Sequence, residues 1–378
     1  MEFLISREAL LKPLQKVVGA VERRHTMPIL GNLLLVVKNQ LLSLTATDLE
    51  IELVVRVPLA APATAGEITV PARKLLDICK ALPDKAELTF KVFEHKAELK
   101  SGRSRFTLAC LPAADFPRVE EGPGKVECAL SQTLLRGLID ATSFAMAHQD
   151  VRYYLNGMLL EFSAQYLRAV AADGHRLAVA TLDIKNRIEA LTAVIVPRKA
   201  IIELQRLFGE GEEEIGLVIG DNHLRAITPN FSFSTKLIDG KFPDYRQVIP
   251  QLTEAQHAVI ARKSFKEALA RVSVLFSDKY RGAGIQFKPG LMTIVAHNPE
   301  KDEVEESFEI DYNGPELEIG FNISYLQEYL NYLKSETMQM SFSDANQSVL
   351  CEPLFNVAEN ARTQPQQTEL YVVMPMRL

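Results

Sequence analysis

Apolar residues recur at helical spacing in three stretches that begin alike: SREALLKPLQKVVGAV from Ser6, SQTLLRGLIDATSFAM from Ser131 and SFKEALARVSVLF from Ser264. Leu10, Leu14, Val17 and Val21 fall on one face in the first, and Leu134, Leu135, Leu138 and Ile139 in the second. Each stretch opens on a serine suited to an N-cap, and Glu267 lies three residues after Ser264, a capping-box pattern. A second series comes after each of these. ITVPARKLLDICKAL is echoed by VIVPRKAIIELQRLF and more faintly by IGFNISYLQEYLNYL. Pro71 and Pro197 sit where proline is tolerated, at the first turn of a helix, with Ser324 in that place in the third copy.

Between the helical stretches the pattern alternates with period two. NLLLVVKNQLLSLTATD, GMLLEFSAQYLRAVAAD and GIQFKPGLMTIVAHN each read as strand, polar turn, strand. SRFTLACL, FSFSTKLI and ELYVVMPM add a further strand to each copy. Pro71 and Pro197 are 126 residues apart, the length of a whole domain rather than of a solenoid repeat. The pattern predicts an α+β protein of three similar domains, 1–124, 125–253 and 254–378, divided at the turn-rich GPGKVE and PQLTEAQH.

Composition narrows the class. Hydrophobic residues make up 47% and charged residues 24% of the 378-residue chain, enough apolar material for packed cores. No apolar run approaches the ~20 residues that span a bilayer. The start MEFLISREALLK lacks the basic opening of a signal peptide, so a cytoplasmic location is expected and no membrane partner. Cys79, Cys110, Cys128 and Cys351 form no CxxC pair and imply neither a zinc site nor a disulfide framework. No cofactor or metal is called for.

The net charge of −6 argues against nucleic acid until its distribution is considered. Nine acidic side chains against one lysine crowd into NPEKDEVEESFEIDYNGPELE, residues 298–318. The helices lean basic instead: Arg7, Lys12, Lys16, Arg23 and Arg24, then Arg73, Lys74 and Lys80, then Arg136, Arg198, Lys199 and Arg206, with Lys263, Lys266, Arg271 and Lys334 in the third copy. An ordinary solvated helix face would also carry such residues. Their recurrence on equivalent helices points to a shared positive surface, binding nucleic acid through its backbone and without reading sequence.

At HQDVRYYLNGM, ADGHRLAV, GKFPDYRQVIP and the terminal YVVMPMRL, together with the threefold repeat, the chain resembles the bacterial DNA polymerase III β-subunit family along its whole length. The resemblance implies a head-to-tail homodimeric ring of clamp domains, helices inside and sheets outside. It implies that the ring encircles duplex DNA, tethers the replicative polymerase, is opened by a separate clamp loader and catalyses nothing itself. Arg24, Gln149, Tyr153 and Tyr154 match the family's DNA-facing positions, although either tyrosine could instead be a core aromatic. Arg73, Arg198, Lys199 and Lys241 join them on charge. For the dimer contact, Lys74, Arg103 and Arg105 in the first domain oppose Asp302, Glu303, Glu305 and Glu306 in the third. Phe106 and Leu108 are implied to pack on Val274 and Leu275. A multi-domain peptide-binding scaffold that never encloses DNA is the alternative reading.

The stretch AVAADGHRLAVATL looks like catalytic equipment, because Asp173, His175 and Arg176 adjoin one another. No nucleophile motif or ligand spacing accompanies them, so catalysis is not expected. A β-turn explains Asp173 and Gly174, with His175 and Arg176 pointing outward. The resemblance goes further and implies a groove for short linear motifs. Its walls are Leu155, Gly174, His175, Arg176 and Leu177, with Pro243, Val248 and Ser348 beside them and Val372, Val373, Met374, Pro375 and Met376 from the terminus. Ala172 and Gln247 stand where the family often has Thr and Arg.

Overall fold

The computed structural model describes residues 1–21, 27–119, 124–184, 188, 190–208, 213–251, 255–277, 281–355 and 367–377. The first third of the chain contains β1 (Glu2–Ser6), α1 (Arg7–Val17), β2 (Asn32–Lys38), β3 (Leu41–Thr47), β4 (Ile51–Pro58), β5 (Gly66–Pro71), α2 (Ala72–Ala81), β6 (Glu87–Phe93), β7 (Lys96–Ser101) and β8 (Ser104–Ala109). The second contains β9 (Val126–Ser131), α3 (Gln132–Thr142), β10 (Gly157–Phe162), β11 (Tyr166–Ala172), β12 (Arg176–Asp183), β13 (Thr192–Pro197), α4 (Arg198–Leu207), β14 (Glu214–Ile219), β15 (His223–Ile227) and β16 (Phe231–Lys236). The third contains β17 (Gln256–Ala261), α5 (Arg262–Val272), β18 (Gly282–Lys288), β19 (Leu291–His297), β20 (Glu303–Glu309), β21 (Leu317–Asn322), α6 (Ile323–Tyr332), β22 (Thr337–Phe342), β23 (Val349–Leu354) and β24 (Gln367–Val373). The threefold repeat is therefore sixfold: strand, helix and three strands, occurring twice in every third.

All six helices succeed a strand without a loop. That arrangement overturns two expected caps. Ser264 is not an N-cap, since α5 starts at Arg262 after Ala261, and Glu267 completes no capping box. Ser324 is the second residue of α6, whose cap is Asn322, accepting from the Ser324 N–H at 3.1 Å. The reason lies in how the first helical N–H is satisfied. Arg7, Gln132, Arg198, Arg262 and Ile323 donate theirs to the carbonyls of Ala86, Glu213, Asn156, Glu336 and Arg281, at 2.8–3.0 Å. A neighbouring backbone does the work of a capping side chain. Ser6 does cap α1, accepting from Ala9 N–H at 3.3 Å. Two arginines expected on a solvated basic face are also structural. Arg7 Nε donates to the Cys79 carbonyl at 2.9 Å, and Arg262 Nε to that of Leu330 at 3.0 Å, placing a cation at the last turn of α2 and of α6.

The chain divides into two compact units, Met1–Thr133 with Lys199–Leu237, and Leu134–Arg198 with Ile238–Leu378. The first holds a four-stranded antiparallel sheet, β1-β6-β7-β8, and an eight-stranded one, β5-β2-β3-β4-β16-β15-β14-β9. The second holds β20-β19-β18-β21 and β13-β10-β11-β12-β24-β23-β22-β17. Each eight-stranded sheet is two four-stranded halves joined at their last strands, β4 with β16 and β12 with β24. At the first join Leu53 faces Phe233 and Val55 faces Phe231, all buried. The β2–β3 hairpin turns on Asn39 and Gln40, both at positive φ, as a two-residue connection matching strand twist requires.

Helices cover one face of these sheets. Leu10, Leu14 and Val17 of α1 meet Leu75, Leu76 and Cys79 of α2 in the first unit's core. Phe265, Leu269 and Val272 of α5 meet Leu326 and Leu330 of α6 in the second's. Burial raises the Cys79 and Cys110 thiols to about 11, so neither carries thiolate character near neutrality. No helix among the described residues is long and apolar enough to cross a membrane.

Asp48, after β3, is a buried carboxylate in full use. Oδ1 accepts the N–H groups of Glu50 at 2.9 Å and Ile51 at 2.8 Å, and Oδ2 pairs with Lys199. Asp48→Ala strands two backbone donors, and we expect a loss of about 2 kcal/mol. Lys199→Ala is expected to cost under ~1 kcal/mol, because the partly exposed ammonium is readily hydrated. Urea unfolding midpoints of the three proteins check the order.

Candidate binding groove and charged surfaces

The turn from β11 to β12 is built by the same chemistry as the one at Asp48. Asp173 Oδ1 accepts from His175 N–H at 2.9 Å and Arg176 N–H at 3.1 Å, an Asx turn that closes the hairpin. Gly174 has φ +90°; the matching residue in the first copy is Leu49, at φ +78°. Glycine is needed at 174 for a further reason. A Cβ there would lie 2.6 Å from Nη2 of Arg152, whose guanidinium lies over the turn. Arg152 Nη2 donates to the Asp173 carbonyl at 3.1 Å, and its Nε and Nη2 hold the Asp150 carboxylate at 3.0 and 2.8 Å. Those bonds from Arg152 lower the Asp150 pKa to about 2.

Arg176 does not point outward. It is 8% exposed. Its Nε donates to Asp173 at 2.9 Å, Nη1 to Glu328 at 2.8 Å and Nη2 to the Phe144 carbonyl at 2.8 Å. The guanidinium also sits 4.3 Å from the Tyr325 ring centroid. Burying the charge opposes ionisation, but the surrounding carboxylates and tyrosine more than compensate, and the pKa rises. Arg176 thus ties the turn to α6 and is no part of an open rim. His175 remains exposed, its ring stacked on Tyr325 at 6.3 Å.

The terminal strand reaches the same turn. Val373 of β24 pairs with Arg176 and with Val349, after which Met374 N–H donates to the His175 carbonyl at 2.9 Å and Met376 N–H to that of Gly320 at 2.8 Å. The first copy repeats the first bond, Lys236 N–H to the Glu50 carbonyl at 2.9 Å, but there the chain runs on. Beneath lies one apolar cluster that includes Leu155, Leu177 and Val372 with Phe242 and Tyr245, and Tyr154, Ala172 and Leu350 packed against it. Pro243, Val248, Met374 and Met376 are exposed, Pro375 and Ser348 half-buried, and Val373 buried in the sheet. One wall has a polar anchor. Buried Glu161 accepts from Tyr245 Oη at 2.8 Å and Arg246 Nη2 at 3.1 Å, while Arg168 Nη1 donates to Tyr245 Oη at 3.0 Å. Gln247 Nε2 donates to Asp244 at 3.2 Å on the same short turn.

On the other side of the turn is a polar cleft of about 460 Å³, bordered by Gln149, Asp150, His175, Arg198, Tyr325 and Glu328. Gln149, at φ +57°, and Tyr153 are exposed, whereas Tyr154 is turned into the apolar cluster. Of the remaining candidates for a DNA-facing role, Arg73 and Lys241 are exposed and Arg198 Nη1 donates to the Met146 carbonyl at 2.9 Å. Lys199 is committed to Asp48. Arg24 lies outside the described residues.

The residues assigned to a dimer contact sit on two sheet edges. β8, with Arg105, Phe106 and Leu108, is the edge of one four-stranded sheet; β20, with Glu303, Glu305 and Glu306, is the edge of the other. Arg103, Lys74, Asp302, Glu303 and Glu305 are exposed, Phe106 and Leu275 half-buried, and Val274 is 80% exposed. Leu108 is already buried in its own unit. Arg105 pairs with Glu98, and Arg271 holds Glu306 through two bonds of 2.8 Å, lowering the Glu306 pKa.

Sequence reasoning missed Arg152 as the group lying over Gly174, as well as Tyr325 and Glu161. Glu161 had a signal, a carboxylate inside the apolar strand GMLLEF whose six residues are all buried. Tyr325 had none, since it arrives on α6 from far along the chain.

Family models of the DNA polymerase III beta subunit match in succession: the N-terminal domain over residues 1–120, the central domain over 129–244 and the C-terminal domain over 246–377. The chain is 53% identical to the beta sliding clamp of Pseudomonas putida and 47% to that of Escherichia coli K12, over 378 residues and the full length of both partners in each comparison. Among solved structures, the Pseudomonas aeruginosa DNA polymerase sliding clamp with ligand matches with a TM-score of 0.93 at 52% identity, and the Caulobacter crescentus sliding clamp with 0.89 at 35%, each covering all of both chains. With its three clamp domains in order and full-length identity of this size, the chain belongs to the DNA polymerase III beta subunit family, the bacterial sliding clamps.

Proposed function

We propose that this sliding clamp closes as a head-to-tail dimer around duplex DNA in the cytoplasm, and that each protomer offers the groove beside His175 to short motifs of the replicative polymerase, the clamp loader and other replication and repair proteins. It is a processivity factor rather than a catalyst. Its three domains end near residues 124 and 253.

One observation carries the dimer. Six four-stranded halves make up the chain, and four of them are joined in pairs through their last strands. Two last strands, β8 and β20, have no such partner within the chain's sheets. An unpaired edge is a template for another strand, and antiparallel pairing of β8 with β20 of a second copy would repeat the two existing joins. A heterologous contact of this kind forms a ring if its rotation closes. Basic Arg103 and Lys74 beside one edge and acidic Asp302, Glu303 and Glu305 on the other favour that pairing over like with like. Arg105 and Glu306 already have partners within the chain, so the contact need not supply theirs.

The groove reading rests on the apolar cluster flanked by Met374, Met376, Val248 and Pro243, with the tail held open-faced by the bonds at His175 and Gly320. Adaptable thioethers over an apolar floor suit several partners carrying one or two hydrophobic anchors. For DNA, exposed Arg73, Lys241, Gln149 and Tyr153 are the proposed contacts; enclosure holds the duplex, so each phosphate contact can stay weak enough to slide.

Light scattering is expected to give twice 42.2 kDa. Val274→Glu, at an exposed position, is expected to weaken the dimer by about tenfold or more, the effect of ~1.4 kcal/mol. A persistent monomer in the unmodified protein would sink the ring. Loaded on circular DNA, the protein should be lost when the circle is cut, whereas a scaffold bound to the surface would stay. Met374→Ala is expected to lower affinity for the polymerase catalytic subunit by about tenfold with the dimer intact. Unchanged affinity would move the binding site elsewhere.

A further inference from the structure

The chain has nine methionines, and the fold sorts them sharply. Met146, Met158, Met292, Met338 and Met340 are buried, and Met1 is half-buried. Three are well exposed: Met27 at 43%, Met374 at 37% and Met376 at 41%. The last two flank the groove. Their backbone N–H groups are fastened to His175 and Gly320, so both thioethers are held at a fixed place beside the apolar floor.

We infer that Met374 and Met376 are a paired oxidation site through which hydrogen peroxide reversibly closes the groove to its partners. This rests on the proposed role of the groove. Each sulfur attacks the peroxide O–O bond with a lone pair; an S–O bond forms, the O–O bond breaks and water leaves, the thioether being oxidised by two electrons and the peroxide reduced. The product is a sulfoxide, polar and stiffer than the thioether it replaces. An incoming apolar anchor must then desolvate the sulfoxide oxygen with no donor to meet it, since the Met374 and Met376 N–H groups are already spent on His175 and Gly320. The buried methionines of the cores are shielded from the same reagent, so the fold should survive the dose that modifies the groove.

The test treats the full-length dimer with hydrogen peroxide, maps sulfoxides by mass spectrometry and measures affinity for immobilised polymerase catalytic subunit. Sulfoxide is expected at residues 374 and 376 before any buried methionine, with affinity falling about tenfold and returning after methionine sulfoxide reductases are added with a thiol. The Met374→Leu/Met376→Leu protein, whatever its starting affinity, should show no further loss on peroxide, and Met27→Leu should respond as the parent does. Light scattering checks that the dimer persists. Equal losses in the parent and the double variant, or sulfoxide at both sites without loss, would overturn the inference. If Met374→Ala also leaves polymerase affinity unchanged without peroxide, the groove reading has failed. If Met374→Ala weakens binding but oxidation does not, only the switch has.

Discussion

An antiparallel sheet cannot leave a long edge strand bare without inviting another strand to it. This clamp meets that constraint by joining half-sheets at their last strands, β4 to β16 and β12 to β24. Everything else about the molecule is arranged around those joins. They make the two eight-stranded sheets, they cut the middle third of the chain between two compact units, and they leave β8 and β20 as the remaining last strands. The compact units therefore do not coincide with the repeats. A unit of sequence is one third of the chain, while a unit of packing is centred on a join.

The same join builds the groove. Where β24 meets β12, the turn at Asp173 offers the His175 carbonyl to Met374; where β16 meets β4, the turn at Asp48 offers the Glu50 carbonyl to Lys236. The two copies of this device differ in the length of chain beyond them. After Lys236 the chain continues into further structure, and Leu237 is tied to Asn222. After Met374 only a few residues remain, so the tail can carry two exposed methionines beside an apolar floor. A chain end, not a special fold, distinguishes the binding site from its counterpart.

The fate of the charged residues near the turn shows how far a linear reading reaches. Asp173 and Gly174 were legible, because Asx turns and positive φ are local properties of two or three residues. Arg176 was not. Three polar partners and an aromatic ring draw it inward, and the ring and Glu328 come from α6. Lys199 is similar: its basic character suggested a surface for DNA, and the Asp48 carboxylate claims it. The serine caps failed at Ser264 and Ser324 because strands run directly into the helices and a neighbouring carbonyl satisfies the first N–H. In each case a partner distant in sequence outcompeted the local rule.

By itself the sequence determined the repeat, the alternation that makes strands and the helical faces that cover them, since these depend on spacing along one chain. It also carried enough motif to place the chain in its family. Only the tertiary structure decided that Tyr154 turns inward while Tyr153 faces out, that Leu108 is spent on its own core, and that Arg152 lies over Gly174. Side-chain direction depends on what packs above and below a residue. The residues that pack there are brought together by strand joins between segments far apart in the chain, and no local pattern records which segment will arrive.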